Sequence, residues 1–228
     1  MGAPVGATGI VACSSGKPGS EGSSASTFHA SVTGGYSYTD LVFFDGAEIG
    51  FSKASVLASS DFLLSSRVLL SVGAGGVFFG ELALPHASDR SLSPGWIGSF
   101  AATFRVVEDK GYVPYVLLSG SAGVLRAAIR EEPTDRPGVR GTYTGVDLRF
   151  GVTVGKTFAN VVSPYVAARV FGGPVIWSEG GTDALGSDLY HFQPAVGLSL
   201  VLPAHMDLFA EGQPWFERGF TVGVGLRN

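Results

Sequence analysis

The sequence predicts an all-β chain: a single antiparallel, up-and-down β-barrel whose strands span a membrane. Three observations support this. Charged residues make up only 15% of the 228 residues, against roughly 25% in an ordinary soluble domain. Apolar residues recur at every second position through most of the chain, which is the period of a β-strand. The connections between these segments alternate between short and long, as in transmembrane barrels.

Transmembrane helices are the usual explanation for so apolar a composition, but the sequence excludes them. A spanning helix needs about 20 mostly apolar residues in a row. The uncharged stretch 190–206 contains Pro194 and Pro203, each of which breaks a helix. In lipid, a closed barrel is the only other structure that pairs every backbone group.

The alternation predicts ten strands, an even number that a closed up-and-down barrel requires. The segment 145–155 is the clearest, with valine, leucine and phenylalanine on one face and Asp147, Arg149, glycine and threonine on the other. Eight strands are the alternative. The ten predicted strands are 28–39, 47–57, 67–75, 96–106, 111–124, 145–155, 165–170, 192–200, 207–211 and 220–227.

The second predicted strand departs from the pattern. Lys53 falls on the same face as Ile49 and Phe51, which the alternation otherwise assigns to lipid. We place a short turn after this strand, at 58–61, and long outer connections near 77–95, 126–141 and 178–189. Trp96, Trp177 and Trp215 then fall near the outer ends of strands, where aromatic side chains prefer the membrane interface.

The amino-terminal segment 1–26 lies outside the barrel pattern and is expected to be a disordered or processed linker, with the barrel at 27–228. Cys13 follows Ile10, Val11 and Ala12, as in a lipoprotein box, and is a possible lipidation site; the alternative is a free cysteine in a flexible tail. The single cysteine excludes an internal disulfide framework and multi-cysteine metal sites. The net charge of −4 argues against nucleic acid as a partner.

Two stretches resemble strands of the small up-and-down outer-membrane β-barrel proteins of Gram-negative bacteria. They are Ser-Pro-Tyr-Val-Ala-Ala-Arg-Val-Phe-Gly-Gly-Pro at 163–174 and Met-Asp-Leu-Phe-Ala-Glu-Gly at 206–212. Each frames an inward charge with apolar residues. The chain ends Leu226-Arg227-Asn228 rather than on the aromatic residue usual in that family. The resemblance implies a location in the outer membrane, with lipid or lipopolysaccharide and the barrel-assembly machinery as partners.

Charged residues on the inward face form the candidate site. Opposite charges in a narrow, partly dry lumen should pair, because an unpaired buried charge is costly. This favours an ion-paired interior that stabilises the barrel; the alternative is a selectivity ring around a small pore. The lumen charge cluster consists of Arg67, Arg105, Asp147, Arg149, Arg169, Asp207 and Glu211.

The expected function is a structural or passive small-solute permeation role, with a narrow, polar and salt-bridged lumen. Adhesion or binding through the long outer loops is the first alternative, and a soluble lipocalin-like ligand-binding barrel is the second. No catalytic residue, cofactor or metal is expected. His191, with Asp183 and Asp188 upstream, is the best-placed candidate for enzymatic chemistry, but acidic residues beside a histidine are common in polar loops.

Overall fold

The computed structural model describes residues 28–84, 89–130 and 141–227. These residues form thirteen antiparallel strands in one sheet. Among them there is no helix of the length and apolarity needed to cross a membrane. The strands are β1 (Phe28–Phe43), β2 (Glu48–Ser65), β3 (Val68–Ala83), β4 (Arg90–Leu92), β5 (Gly95–Val107), β6 (Tyr115–Arg130), β7 (Gly141–Gly155), β8 (Val162–Gly172), β9 (Val175–Glu179), β10 (Thr182–Asp188), β11 (Phe192–Val201), β12 (Met206–Gln213) and β13 (Arg218–Arg227).

Ten of these strands close into a ring, here called the membrane ring. Its order is β1, β2, β3, β5, β6, β7, β8, β11, β12 and β13, and β13 pairs with β1 to complete it. The prediction of a ten-stranded antiparallel barrel is therefore confirmed. The end with the long connections is the outer end, and the opposite, periplasmic end carries the short turns.

An apolar belt surrounds the membrane ring. Every strand of the ring presents a large apolar side chain that is exposed on the outer face, whereas soluble monomers rarely expose a continuous apolar surface. Such a belt suits contact with lipid and contradicts the soluble lipocalin-like alternative. The belt includes Val32, Val56, Val72, Phe100, Leu118, Phe150, Val166, Val196, Leu208 and Val222.

The strands differ in length, and this difference creates a second ring. Strands β8, β11, β12 and β13 have 8–11 residues, about what a tilted strand needs to cross a bilayer. Strands β1, β2, β3, β6 and β7 have 15–18 residues and continue beyond it. Their outer ends pair with β4, β9 and β10 to close an outer ring of eight strands, because β4 joins β3 to β6 and the β9–β10 hairpin joins β7 to β1.

The polarity of the two faces reverses between the rings. In the membrane ring β7 turns Phe150 outward and Asp147 inward, whereas in the outer ring it turns Thr144 outward and Tyr143 inward. The outer ring therefore has the apolar interior and polar exterior of a water-soluble barrel. Its core contains Leu41, Phe43, Ile49, Phe51, Leu82, Leu92, Ala127, Ile129, Tyr143 and Val175.

This reversal corrects the interpretation of the second strand. Ile49 and Phe51 do not face lipid; they lie in the core of the outer ring, and Lys53 follows on the same inward face. The predicted turn at 58–61 is also wrong, because β2 continues to Ser65. Its polar residues there, such as Asp61, are buried lumen side chains paired in register with β1 and β3.

Two further expectations about the outer connections are corrected. The segment 178–189 is not an irregular loop, since it contains the turn and second strand of the β9–β10 hairpin. Trp177 does not lie at the membrane interface. It packs against the outer-ring core, with its ring edge-on to Phe43 at a centroid distance of 6.0 Å. Trp96 and Trp215 are exposed, as predicted for interface residues.

Two periplasmic turns are tied together by Asp109. Its carboxylate accepts hydrogen bonds from the Lys156 ammonium and from the backbone N–H of Thr157, the latter at 2.7 Å. Burial alone would raise the pKa of Asp109, but these hydrogen bonds hold it below its ordinary value. The contact therefore stabilises the fold at pH values above the ordinary carboxyl pKa, and this stability is lost as the pH falls through the lowered value.

We expect Asp109→Asn to reduce the free energy of unfolding by about 1 kcal/mol at pH 7, because the charged hydrogen bonds are lost. The difference from the unsubstituted protein should shrink below about pH 4, where the carboxyl of the unfolded chain is protonated. Urea unfolding of both proteins in detergent, at pH 7 and at pH 3, measures the loss of stability and its decrease at low pH. Glu108→Gln is the matched control; a loss that stays constant with pH would contradict the assignment.

Candidate functional site: a buried ion-pair layer in the lumen

The candidate site is a layer of charged side chains inside the barrel, here called the ion-pair layer. Above it lies the apolar core of the outer ring, and below it an apolar cluster of Leu69, Tyr115, Leu117, Tyr165 and Phe209. The layer is thus enclosed by apolar residues on both sides. Its members are Lys53, Asp147, Arg149, Arg169, Asp188, Gln193, Glu211 and Glu217.

Arg149 is the centre of the layer. Its Nε donates to Asp147 Oδ2 at 2.7 Å, and its Nη2 donates to Glu217 Oε2 at 2.6 Å. The guanidinium also stacks near the Phe171 ring, 4.9 Å from the ring centroid. Because Arg149 is 5% exposed, these contacts occur away from bulk water, where charge-assisted hydrogen bonds are strong.

Glu217 reaches the lumen from the β12–β13 connection. The preceding residue, Phe216, has a left-handed backbone with φ of 64°, which is uncommon for a non-glycine residue. The connection folds inward there, so that Glu217 is 2% exposed even though it lies outside any strand. An outer connection thus supplies the carboxylate that accepts a hydrogen bond from Arg149, and it covers the lumen on the β12–β13 side.

A second ion pair joins β8 to β12. Both Nη atoms of Arg169 donate to the two carboxylate oxygens of Glu211, each at 2.6 Å. The Tyr165 hydroxyl donates to Glu211 as well, at 3.1 Å. Tyr165 reaches Glu211 by crossing Gly197 on β11, where a Cβ would lie 2.2 Å from its ring. A glycine at this position lets the aromatic ring lie against the wall.

Gln193 connects the two ion pairs into one network. Its Oε1 accepts hydrogen bonds from Arg149 at 3.0 Å and from Arg169 at 3.3 Å, and its Nε2 donates to Glu217 at 2.8 Å. The amide therefore uses its acceptor for the cations and its donor for the anion. The network extends from β7 across the lumen to the β12–β13 connection.

Lys53 is the member of the layer without a hydrogen bond in the described part of the chain. It is 1% exposed, and its ammonium lies 6.0 Å from the centroid of the Phe51 ring. Glu217, Asp147 and Asp188 attract its charge at longer range, and Arg149 repels it. Lys53 therefore lies at the boundary between the ion-pair layer and the apolar core of the outer ring.

A separate polar cluster closes the periplasmic end of the lumen. His29 Nδ1 lies 2.7 Å from Asp61 Oδ2, and His29 Nε2 lies 3.0 Å from Asp207 Oδ2. This arrangement uses both N–H groups of a protonated imidazole. Gly225 separates His29 from Asp207 on the wall, and a Cβ there would lie 2.1 Å from His29 Nε2. The Arg227 guanidinium is 3.5 Å from Asp207.

The structure divides the seven predicted lumen charges among four locations. Asp147, Arg149, Arg169 and Glu211 lie in the ion-pair layer, and Asp207 lies in the periplasmic cluster. Arg67 does not face the lumen, because β2 continues to Ser65 and places Arg67 in the exposed turn before β3.

Arg105 is half-buried on the inward face of β5, and within the described part of the chain it makes no ion pair, so it does not belong to a cluster. Cys13 and the linker 1–26 lie outside the described residues.

Sequence reasoning missed Lys53, Asp61, Gln193 and Glu217. Lys53 and Asp61 were available from the alternation of β2, once the face of Ile49 is recognised as inward. Gln193 alternates with the lipid-facing Phe192 and Val196 and could have been included. Glu217 carries no periodic signal, because it belongs to a connection that folds inward only in the tertiary structure.

The described residues contain neither a metal site nor a cluster of His191 with both Asp183 and Asp188. No group of three or more His, Cys, Asp or Glu side chains there could hold a metal ion. The His191 ring bonds the Phe171 carbonyl oxygen at 3.1 Å. Asp183 is exposed on the outward side of the hairpin, whereas Asp188 is buried on its inward side.

Comparison with known proteins identifies the architecture. No family model and no curated protein matches the sequence. The translocator domain of the autotransporter NalP from Neisseria meningitidis matches with a TM-score of 0.52 and 12% identity, covering 92% of this chain and 91% of that one. The transport unit of the autotransporter AIDA-I from Escherichia coli matches with a TM-score of 0.50 and 10% identity, covering 97% and 96%. The chain has the fold of an outer-membrane β-barrel. At such identities the similarity concerns the fold alone.

Proposed function

We propose that this outer-membrane β-barrel serves a structural role in the bacterial outer membrane and does not conduct solutes in its resting state. A contact between two aromatic rings across the lumen supports this role. Phe51 and Tyr143 stack with their ring centroids 4.9 Å apart, although β2 and β7 lie on opposite sides of the eight-stranded outer ring. Side chains from opposite walls therefore meet across the lumen, directly above the ion-pair layer.

Passive permeation is the second candidate, and the β9–β10 hairpin favours it. This hairpin completes the outer ring, yet three residue pairs join it to β1 and four join it to β7, whereas fifteen pairs join β1 to β2. Displacement of the hairpin would open one side of the outer ring. The ion-pair layer would still have to rearrange before a small solute could pass.

Single-channel recording in planar bilayers tests both candidates. We expect the full chain to insert without producing stable conductance steps, because both the apolar core and the ion-pair layer fill the lumen. Insertion is verified separately by the heat-dependent shift in gel mobility of a folded barrel. Stable conductance in the unmodified protein would contradict the closed structural barrel.

A disulfide variant distinguishes a gated channel from a permanently open one. Val42 and Ser187 are paired in register between β1 and β10, so Val42→Cys with Ser187→Cys, in a Cys13→Ser background, should fix the hairpin to β1 under oxidising conditions. Openings that vanish on oxidation and return on reduction would support permeation through hairpin displacement. Openings that persist after oxidation would contradict both the closed barrel and displacement of the hairpin, and would indicate a permanently open channel.

A further inference from the structure

We propose that the lumen of the membrane ring holds a chain of bound water molecules that joins the periplasmic cluster around His29 to the ion-pair layer. The chain lies against the wall formed by β3, β5 and β6, where the inward side chains are small. This inference rests on the closed lumen proposed above, because an open pore would contain bulk water in place of a bound chain.

Two rows of inward residues, here called the hydroxyl rows, cross this wall in register. Each row runs from β1 through β2, β3, β5 and β6 to β7, so that it begins in or beside the periplasmic cluster and ends in the ion-pair layer. On β3, β5 and β6 the rows contain only serine, alanine and glycine. The first row is His29, Asp61, Ser71, Ala101, Ser121 and Arg149, and the second is Ser31, Ser59, Gly73, Ser99, Gly123 and Asp147.

The small side chains of the hydroxyl rows leave room for water in this part of the lumen. Ser71, Ser99 and Ser121 face inward, yet each of them is partly exposed. Elsewhere in the ring, by contrast, the inward serines Ser163 on β8 and Ser199 on β11 are each 1% exposed. An exposed surface that faces a closed lumen lines an internal space, and an internal space with polar walls takes up water.

Two buried aspartates supply hydrogen-bond acceptors at the two ends of the hydroxyl rows. Asp61 Oδ2 lies 2.7 Å from His29 Nδ1, and Asp147 Oδ2 accepts a hydrogen bond from Arg149 Nε at 2.7 Å. The Oδ1 atom of each aspartate has no hydrogen-bond partner in the described part of the chain, and the two residues are only 1% and 4% exposed. Because buried polar atoms are nearly always hydrogen-bonded, both oxygens require a donor that the wall does not supply.

Water fits this requirement better than a cation, because each carboxylate already contacts a positively charged partner. Four strand spacings separate β2 from β7 along the wall, a path of roughly 19 Å, so several molecules are needed to connect the two aspartates. Serine hydroxyl groups donate and accept hydrogen bonds, and a buried water molecule makes about three of them. Ser71, Ser99 and Ser121 therefore provide intermediate partners for a continuous chain of water.

Radiolytic hydroxyl-radical labelling of the full chain in detergent tests the proposal, because radicals form from bound water as well as from bulk water and oxidise the nearest side chains. Leu57 is 2% exposed and lies beside the second hydroxyl row, where its side chain covers Gly73. Mass spectrometry should show Leu57 oxidised severalfold faster than Leu41, which is 0% exposed in the outer-ring core. When oxygen-18 water is mixed in just before irradiation, the label should appear later in Leu57 than in the exposed Leu64.

Two variants, checked for folding by heat-dependent gel mobility, connect this oxidation to the hydroxyl rows. Ser71→Val with Ser121→Val fills the space and should lower the oxidation rate of Leu57 to that of Leu41, whereas Ser71→Ala with Ser121→Ala keeps the space and should retain most of the rate. Equal rates for Leu57 and Leu41 in the unsubstituted protein, or no change in S71V/S121V, would overturn the proposal.

The oxygen-18 label and the bilayer recordings separate failure of this inference from failure of the proposed function. Oxygen-18 that reaches Leu57 as early as Leu64, without conductance in planar bilayers, would mean exchanging bulk water and would overturn the bound chain alone. Stable conductance would overturn the closed lumen itself. If S71V/S121V does not fold, the comparison of Leu57 with Leu41 in the unsubstituted protein and in S71A/S121A still decides.

Discussion

Replacing Arg149 with leucine is expected to lower the free energy of unfolding by about 3–5 kcal/mol, because removal of one partner leaves an uncompensated buried charge. Arg149 contacts Asp147 and Glu217 directly and holds the Oε1 atom of Gln193. Without the guanidinium, the two carboxylates would remain buried between the apolar core of the outer ring and the apolar cluster beneath the layer. Urea unfolding in detergent, followed by tryptophan fluorescence, measures the loss.

Arg105→Leu is the control for this substitution. Arg105 is also an inward arginine, but it is half-buried and unpaired within the described part of the chain, so its replacement should change stability by less than about 1 kcal/mol. Adding Glu217→Gln to Arg149→Leu should recover part of the loss, since one stranded charge is removed. Equal effects of the two arginine substitutions would mean that the ion-pair layer does not stabilise the barrel.

Replacing His29 with leucine is expected to have a similar effect at the periplasmic end, again about 3–5 kcal/mol. The imidazole lies between the Asp61 and Asp207 carboxylates, whose side chains are fully buried. Leucine would leave these like charges facing each other across Gly225 without a hydrogen-bond donor between them. The Arg227 guanidinium, 3.5 Å from Asp207, would compensate only one of them.

The triple variant H29L/D61N/D207N separates loss of charge compensation from loss of packing. It should be more stable than His29→Leu alone if the stranded carboxylates cause the damage. His205→Asn is the matched histidine control, because His205 is an exposed turn residue with φ of 62°, a conformation that asparagine tolerates. A triple variant no more stable than H29L would assign the effect to packing instead.

The alternation of apolar and polar residues along each segment was sufficient to predict the strands of the membrane ring. Along β7, valine, leucine and phenylalanine at even positions and Asp147, Arg149 and Gly151 at odd positions define two faces, because successive side chains of a strand point in opposite directions. The even number of strands and the short periplasmic turns followed from the same pattern. The inward charges Asp147, Arg149, Arg169 and Glu211 could be predicted for this reason.

The outer ring was decided by tertiary structure. Alternation specifies two faces but does not say which of them meets water, and the answer changes along a single strand: on β7, Tyr143 is inward above the membrane and Phe150 is outward within it. The pairing of β9 with β7 and of β10 with β1 is what encloses Tyr143 and the other apolar side chains of the outer-ring core. Glu217 joins Arg149 for a similar reason, since an irregular connection has no period that could place its side chain. Local periodicity thus fixed the barrel wall, whereas closure of its outer end depends on contacts between residues distant in the chain.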